Sequence, residues 1–243
     1  MSNHTEPPEG IIFDMDGVLV DSNPFHLEKW VALLTEHGVE FDSAQLPEQI
    51  LGQRNDTALR FFFGDKLSEA DRRRLIEALE EKFRRAFRPH ARPLPGLEPL
   101  IAECHRAGIP MAVASSAMAK NVEFVVEALG FRRYFKVLVN GDEVSRPKPD
   151  PEIYLKAARQ LGAEPRSSVA FEDSYVGIES AKRAGMKCIG IGSSFPLDEL
   201  RSRTRADLVV RSFNELSLPD LRTLFPGAGR QPPRPSAGPT ISR

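Results

Sequence analysis

Short apolar segments alternate along the chain with longer segments whose apolar residues recur at helical spacing. The apolar segments span 10–14, 109–115, 137–140, 169–173 and 187–191, and a weaker one spans 207–210. Helical patterns span 95–107, 119–129, 151–161 and 175–184, and most end at glycines, namely Gly108, Gly130, Gly162 and Gly185. Strands that alternate with helices predict an α/β fold, a doubly wound parallel sheet covered by helices on both faces.

The segment between the first two predicted strands departs from this alternation. It contains helical patterns and no apolar segment typical of a strand. Ser68 and Asp71 have the spacing of a helix start, and an apolar stripe follows it at Leu75, Ile76, Leu79, Phe83 and Phe87. The charged residues between them are predicted to form a solvated face. We therefore expect a helical domain over 23–90, inserted into an α/β domain composed of 10–22 and 91–225.

Composition and charge limit the partners of the chain. A formal net charge of -1 predicts no general attraction to nucleic acid or to an anionic membrane, and no apolar run has the length of a membrane span. Cys104 and Cys188 lack metal-type spacing, so we expect reduced thiols in a cytoplasmic protein. Residues 226–243, rich in proline and glycine, are predicted to be a disordered tail. The sequence does not determine the oligomeric state, and we expect a monomer.

The strongest chemical signal follows the first predicted strand, in the segment Phe13-Asp14-Met15-Asp16-Gly17. Residues two apart in a strand share a face, so the carboxylates of Asp14 and Asp16 are expected to converge on one point. Gly17 then allows the chain to turn sharply. An isolated Asp-x-Asp pair is more typical of a turn that caps a strand. The prediction of a catalytic role therefore depends on the residues found at the ends of the later strands.

Three further motifs end later predicted strands or follow them closely: Ser115-Ser116, Lys148 between two prolines, and Glu172-Asp173. Each has a structural alternative, which is helix capping for the serines and Asp173 and an ordinary surface position for the lysine. The carboxyl ends of parallel strands meet at one edge of the sheet, where ligands bind in such folds. Together the motifs supply the nucleophile, hydroxyl, cation and metal ligands that phosphoryl transfer requires.

In the order and spacing of these four motifs, the sequence resembles the haloacid dehalogenase-like phosphatase superfamily, within it the branch that includes β-phosphoglucomutase and small sugar phosphatases. The resemblance extends over about 10–225. It implies a Rossmann-like core, with 23–90 as the helical cap domain typical of this branch. It also implies a small phosphomonoester substrate and Mg²⁺ as the cofactor. The sequence contains no P-loop motif, which argues against an ordinary nucleotide kinase or P-loop ATPase.

The resemblance assigns roles to the motif residues. Asp14 would attack phosphorus to form an aspartyl-phosphate, and Asp16 would protonate the leaving oxygen and then deprotonate the attacking water. Ser115 and Lys148 would hold the transferring phosphoryl group, and Ser116 would contact the substrate. The implied Mg²⁺ ligands are Asp14, the backbone carbonyl of Asp16, Asp173 and, in an assisting role, Glu172. Oxygen-rich sites of this kind are those that Mg²⁺ prefers.

The predicted cap offers further substrate-binding candidates. His26 and Trp30 are four residues apart and share a helix face; such a pair is often part of a core, but the resemblance implies that it borders the active site. The segment Leu51-Gly52-Gln53-Arg54-Asn55 resembles the cap's specificity loop, and we expect Gly52, Gln53, Arg54 and Asn55 to bind substrate. Mutase relatives have basic residues at the positions of Leu51 and Asn55, whereas here only the displaced Arg54 is basic.

These departures favour a phosphatase that acts on a small phosphorylated metabolite, with a sugar phosphate as the expected substrate. The first alternative is β-phosphoglucomutase. The second is a catalytically silent, phosphate-binding regulatory protein, although a competent residue occupies every predicted catalytic position. Dehalogenation is a distant rival, because that chemistry requires neither Asp16 nor magnesium.

Overall fold

The computed structural model of the protein describes residues 7–225, and the predicted disordered tail at 226–243 lies outside them. The described strands are β1 (Gly10–Phe13), β2 (Met111–Ala114), β3 (Val137–Val139), β4 (Ser168–Glu172), β5 (Lys187–Ile191) and β6 (Leu208–Val210). They form one parallel sheet in the order β3-β2-β1-β4-β5-β6. The predicted parallel sheet is confirmed, and each predicted strand lies within two residues of its observed bounds.

The described helices lie between the strands and after the last one. They are α1 (Asn23–Glu36), α2 (Leu46–Ile50), α3 (Asn55–Phe63), α4 (Glu69–Phe87), α5 (Leu97–Arg106), α6 (Ala119–Ala128), α7 (Glu152–Leu161), α8 (Tyr175–Arg183), α9 (Leu197–Arg203) and α10 (Leu218–Thr223). Successive strand residues point to opposite faces. In β1, Ile12 packs with the buried face of α7, whereas Ile11 and Phe13 pack with those of α5 and α6. The sheet is therefore covered by helices on both faces, as predicted.

The central strand β1 sets the position of the functional site. All four of its residues are buried, and Phe13 is in register with Val113 of β2 on one side and Phe171 of β4 on the other. The chain order of the strands reverses at this point, because β2 and β3 lie to one side of β1 and β4 to β6 lie to the other. In open parallel sheets the crevice at such a switch point is where ligands bind.

The segment between β1 and β2 is helical in α1 to α4, as predicted. The hydroxyl oxygen of Ser68 caps α4 by accepting a hydrogen bond of 3.1 Å from the backbone N–H of Asp71. The apolar stripe of this helix packs inward through Leu79, Phe83 and Phe87. The prediction of a solvated charged face is wrong for Glu80, which is only 1% exposed.

The two chain segments that flank the helical insertion run side by side. The backbone N–H of Leu94 donates to the carbonyl of Leu19 at 3.1 Å, and Val20 forms an antiparallel bridge with Pro93. The chain therefore leaves the α/β part and returns to it at adjacent points, an arrangement compatible with an inserted domain. The boundaries at 22/23 and 90/91 remain a prediction.

Two further expectations concern the cysteines and the membrane. Cys104 and Cys188 are buried free thiols, and burial raises the pKa of Cys104 to about 12. Both therefore behave as inert packing residues, in line with the sequence prediction. Across residues 7–225, the helices lack the combined length and apolarity that crossing a membrane would need.

Candidate active site

Asp14 directly follows β1 and is 4% exposed. Its backbone N–H donates to the carbonyl of Phe171 at 3.0 Å, which continues the pairing of β1 with β4. Three residues later Gly17 adopts a φ of +75°. A Cβ atom at Gly17 would lie 1.9 Å from Oδ2 of Asp173, so only glycine allows this turn to approach the end of β4 so closely.

The ends of β1 and β4 bring three buried carboxylates together. Asp14, Glu172 and Asp173 each place one oxygen within 4.8 Å of the other two. The Nζ atom of Lys148 donates to Oδ1 of Asp14 and to Oε1 of Glu172, each at 2.6 Å. Lys148 therefore accompanies three buried carboxylates.

The protonation equilibria of this cluster reflect its excess of negative charge. Burial raises the pKa of Asp14 to about 8 against the lowering effect of Lys148, and the charge of Glu172 adds to the rise. Burial and the charges of Glu172 and Asp14 raise the pKa of Asp173 well above its usual value. Burial opposes the charged form of Lys148, but Asp14 and Glu172 outweigh it and raise its pKa. The protein alone does not stabilise all three carboxylates as anions.

Neighbouring groups hold two of the carboxylates in place. Oε2 of Glu172 accepts hydrogen bonds from the backbone N–H of Asp173 at 3.1 Å and the hydroxyl of Ser174 at 3.1 Å, and Tyr154 donates to Oε1 at 2.7 Å. Oδ2 of Asp173 accepts one of 2.8 Å from Nδ2 of Asn23, the first residue of α1. The cluster is thus ordered by its surroundings before any ligand binds.

The donor set suits a hard divalent cation. Oxygen ligands from a few carboxylates, with room for water, are typical of Mg²⁺ sites, and a cation would neutralise the charge that raises the pKa of Asp14 and Asp173. Asp14, Asp173 and Glu172 are the residues placed to hold it. The carboxylate of Asp16, predicted to converge with that of Asp14, lies outside this cluster. Asp14 and Asp16 nevertheless line one cavity, although β1 ends at Phe13 and the strand alternation does not extend to them.

The carboxylate of Asp16 is instead bound by residues at the start of α1. Its Oδ1 accepts from the hydroxyl of Ser22 at 2.5 Å and lies 3.0 Å from Nε2 of His26. Burial raises the pKa of Asp16, but His26 and Ser22 outweigh it and hold the pKa below its usual value. The His26 ring stacks on Phe83, with 4.1 Å between ring centroids. The structure therefore joins Asp16 and His26.

A cavity opens beside Asp14 between the sheet edge and the helical segment. The predicted site residues that line it are Asp14, Asp16, His26, Trp30, Gly52, Gln53, Asn55, Ser115 and Ser116. Ser115 is 1% exposed, and Ser116 donates from its hydroxyl to the carbonyl of Gly52 at 2.8 Å. Lys148 lies behind Asp14 and reaches the site through that carboxylate.

Arg54 is placed differently from the prediction. Its guanidinium group forms two hydrogen bonds of 3.0 Å with the carboxylate of Asp56 and a third of 3.0 Å with the carbonyl of Val144. It is absent from the cavity wall, whereas Gln53 and Asn55 on either side of it are present. Arg54 therefore ties the loop before α3 to the α/β part of the chain, and its prediction as a substrate-binding residue is not supported.

Several residues of the site escaped the sequence analysis, namely Ser22, Asn23, Lys29, Glu80, Asn121 and Ser194. The sequence does contain a pattern that indicates burial of Glu80. This residue lies four residues after Ile76 and three before Phe83, which places it on the apolar face of α4. Lys29 lies three residues after His26 and therefore on the same side of α1, which is a similar signal. The polar contacts of Asn23 and Ser194 with Asp173 join distant segments and leave no local pattern.

A parallel sheet that carries a buried acid cluster at its switch point, beneath an inserted helical segment, has the architecture of an α/β enzyme. The chain matches the model of the haloacid dehalogenase-like hydrolase family over residues 11–191, and it belongs to that family. This match confirms the family predicted from the four motifs.

The chain is also similar to individual phosphatases and to a solved mutase structure. The chain is 32% identical to the chloroplastic 5-amino-6-(5-phospho-D-ribitylamino)uracil phosphatase of Arabidopsis thaliana over 88% of its own length, but it spans only 57% of that relative. It is 30% identical to the validoxylamine A 7'-phosphate phosphatase of Streptomyces hygroscopicus subsp. limoneus, covering 86% of this chain and 96% of the relative. The crystal structure of β-phosphoglucomutase from Clostridium difficile superposes with a TM-score of 0.77 at 26% identity, covering 90% and 98% of the two chains.

Proposed function

We propose that this protein is a Mg²⁺-dependent phosphatase that hydrolyses a phosphate monoester of a small metabolite, with sugar phosphates as the expected substrates. The observation that carries the proposal is the position of Asp14. Its carboxylate ends the central strand, belongs to the acid cluster, contacts Lys148 and still lines the cavity. Phosphatases among the relatives support the same activity.

The first half of the proposed reaction is transfer of the phosphoryl group to Asp14. A carboxylate oxygen of Asp14 attacks phosphorus, and the bond from phosphorus to the leaving oxygen breaks. Asp16, whose pKa is held low while His26 binds it, takes up a proton when the anionic phosphate enters the cavity. It donates that proton to the leaving oxygen, so the product leaves as an alcohol. His26 and Ser22 orient the Asp16 carboxylate toward the cavity. Bound Mg²⁺, held by Asp14, Asp173 and Glu172, would supply positive charge against the phosphoryl oxygens.

The second half returns the enzyme to its starting state. Asp16, now ionised, takes a proton from a water molecule, and the water oxygen attacks phosphorus. The bond between phosphorus and the Asp14 oxygen breaks, which releases inorganic phosphate. Ser115, which lines the cavity, would hold the phosphoryl group through both steps, and Lys148 would assist from behind through the carboxylate of Asp14. In this scheme one carboxylate remains a nucleophile while the other changes between acid and base.

The helical segment 23–90 is proposed as a cap over this site. It contributes His26, Trp30, Gln53 and Asn55 to the cavity wall. Its contact with the α/β part is close at Gly52, where a Cβ atom would lie 2.3 Å from Oγ of Ser174. Opening at the paired segments near Val20 and Pro93 would admit substrate, and closure would exclude water from the aspartyl-phosphate. We further propose that the protein acts as a cytoplasmic monomer.

β-Phosphoglucomutase remains the second candidate, because the C. difficile enzyme superposes on this chain. A mutase must also hold a second phosphate in the cavity. Among the described residues, the cavity wall contains neither lysine nor arginine, which favours hydrolysis. A silent regulatory protein is less well supported, since Asp14 and Asp16 both line the cavity.

A panel of phosphate monoesters tests the proposed function. Purified protein should release inorganic phosphate from one or more small monoesters in the presence of Mg²⁺ and from none of them in excess chelator. Binding of the same esters without phosphate release would identify a regulatory protein instead.

A further inference from the structure

A buried ion pair forms part of the cavity wall on the side of the helical segment. Glu80 of α4 is 1% exposed, and its carboxylate accepts a hydrogen bond from Nζ of Lys29 on α1, whose side chain is 8% exposed. Nδ2 of Asn55 donates to Oε1 of Glu80 at 2.6 Å, and Nδ2 of Asn121 donates to Oε2. Of the acidic side chains described between residues 23 and 90, Glu80 is the buried one.

Stability alone does not account for this pair. Removing two charges from water costs several kcal/mol per ion, and well-packed apolar residues often replace a buried pair without loss. Burial raises the pKa of Glu80, but Lys29 outweighs it and holds the pKa below its usual value, so Glu80 is an anion at neutral pH. Burial lowers the pKa of Lys29, which Glu80 only partly offsets. A buried charge that costs free energy and lines a cavity points to a role in recognition of the ligand.

The buried Glu80 lines the cavity, but its partner Lys29 does not. Glu80, Asn55 and Asn121 line the cavity, whereas Lys29 lies outside its wall. A carboxylate offers roughly four lone-pair sites, and three donors already occupy Glu80, so about one site is free to accept from a ligand hydroxyl. Arg84 donates to Oδ1 of Asn121 at 2.6 Å and is also outside the wall.

The parts of the cavity wall at Asp14 and at Glu80 therefore differ in charge. Beside Asp14, Lys148 and the proposed cation offset the negative charge of a phosphoryl group. Beside Glu80, the wall that the described residues form carries amides and a carboxylate and lacks a lysine or arginine side chain. A second anionic group on the ligand would meet Glu80 across the cavity, whereas Lys29 lies behind the wall and is already paired with Glu80. Repulsion between the two anions then disfavours such a ligand.

We propose that Glu80, held by Lys29, Asn55 and Asn121, is a specificity-determining residue that rejects substrates with a second anionic group. The substrate class is then the monophosphates of neutral polyhydroxy compounds, and bisphosphates and phosphorylated acids are excluded. This inference rests on the proposed phosphatase function. It also explains how the cavity disfavours the bisphosphate that a mutase needs.

Matched substrate pairs test the inference. Glucitol 6-phosphate and 6-phosphogluconate are open-chain hexose derivatives that differ at the far end by a hydroxymethyl group against a carboxylate. Glycerol 3-phosphate and 3-phosphoglycerate differ in the same way. For the wild-type protein we expect kcat/KM to favour the neutral member by about tenfold or more. A pair that is not hydrolysed is compared by its inhibition constants against whichever monoester is turned over.

Glu80→Gln keeps the shape of the side chain and removes its charge. We expect it to shift the neutral-to-anionic ratio of kcat/KM toward the anionic member by about tenfold, since Lys29 then lacks a counter-charge. Glu77→Gln is the matched control, because Glu77 lies on the same helix, is exposed and pairs with Lys120 away from the cavity. The control should leave the ratio unchanged.

Three results would overturn the inference while phosphate release itself persists. They are a wild-type ratio near one, an unchanged ratio in a folded Glu80→Gln protein, and an equal shift in Glu77→Gln. If Glu80→Gln does not fold, as judged by its thermal melt, the wild-type ratio decides the matter. If no monoester in the panel releases phosphate, the proposed function fails and not merely its specificity.

Discussion

The Nζ atom of Lys148 lies 2.6 Å from Oδ1 of Asp14, although 134 residues separate them in the chain. Both side chains are almost fully buried, and Lys148 also binds Glu172. The contact orients the proposed nucleophile and offsets part of the charge of the acid cluster. It links the residue after β1 to the loop that follows β3, so the chemistry depends on the assembled sheet edge.

Asp14→Asn should abolish turnover while the fold survives. The amide is a poor nucleophile, and no other described carboxylate combines the same position after β1 with access to the cavity. We expect kcat to fall by about a thousandfold or more. Without metal the melting temperature near neutral pH should change little, because burial raises the pKa of Asp14 to about 8 and its carboxyl is then largely neutral already. Substantial residual turnover would contradict the assignment.

Asp16→Asn should reduce activity in a way that depends on the leaving group. General acid–base catalysis contributes roughly a hundred- to ten-thousandfold, so we expect a loss in that range for an alkyl phosphate. The loss should be smaller for p-nitrophenyl phosphate, whose leaving group needs less protonation. The measurement is kcat/KM for both substrates in both proteins, and equal losses would argue against Asp16 as the acid.

Magnesium should bind at the acid cluster and be required for turnover. Excess chelator should abolish phosphate release, and added Mg²⁺ should restore it. Mg²⁺ should also raise the melting temperature, since ligand at a hundred times its Kd stabilises a protein by about 2.7 kcal/mol. Asp173→Asn should lose most of that shift in melting temperature. Asp21→Asn is the control and should retain it, because Asp21 is an exposed acid close to Asp14 in the sequence. Activity that persists in chelator would refute the site.

Hydrolysis should dominate over isomerisation. Among the described residues the cavity wall contains neither lysine nor arginine, and Arg54 is bound to Asp56 and Val144 instead. The assay measures phosphate release and glucose 6-phosphate formation in parallel from β-glucose 1-phosphate, with glucose 1,6-bisphosphate as primer. Phosphate release should be the main reaction for sugar monophosphates. Isomerisation about tenfold faster than hydrolysis would establish a mutase.

Local sequence pattern was sufficient for most of the fold. Short apolar segments identified β1 to β5 within two residues, because a strand buried on both faces has no polar alternation to obscure it. The ends of four helices were also predicted correctly from glycines. These residues adopt positive φ, which other residues rarely do, and they are Gly108, Gly130, Gly162 and Gly185. The positions of Asp14, Ser115, Lys148 and Asp173 at one sheet edge followed from strand order alone, since parallel strands share the direction of their carboxyl ends.

The tertiary structure decided where the remaining side chains point. The carboxylate of Asp16 turns to Ser22 and His26 because β1 ends at Phe13 and α1 returns over the loop. Glu80 is buried because Lys29, Asn55 and Asn121 supply its hydrogen-bond donors from other elements. Spacing along one helix defines a face, but whether a charged residue on that face meets solvent or a partner depends on segments far away in the chain. The sequence by itself therefore determined the sheet and its catalytic edge, whereas tertiary packing decided the cavity wall.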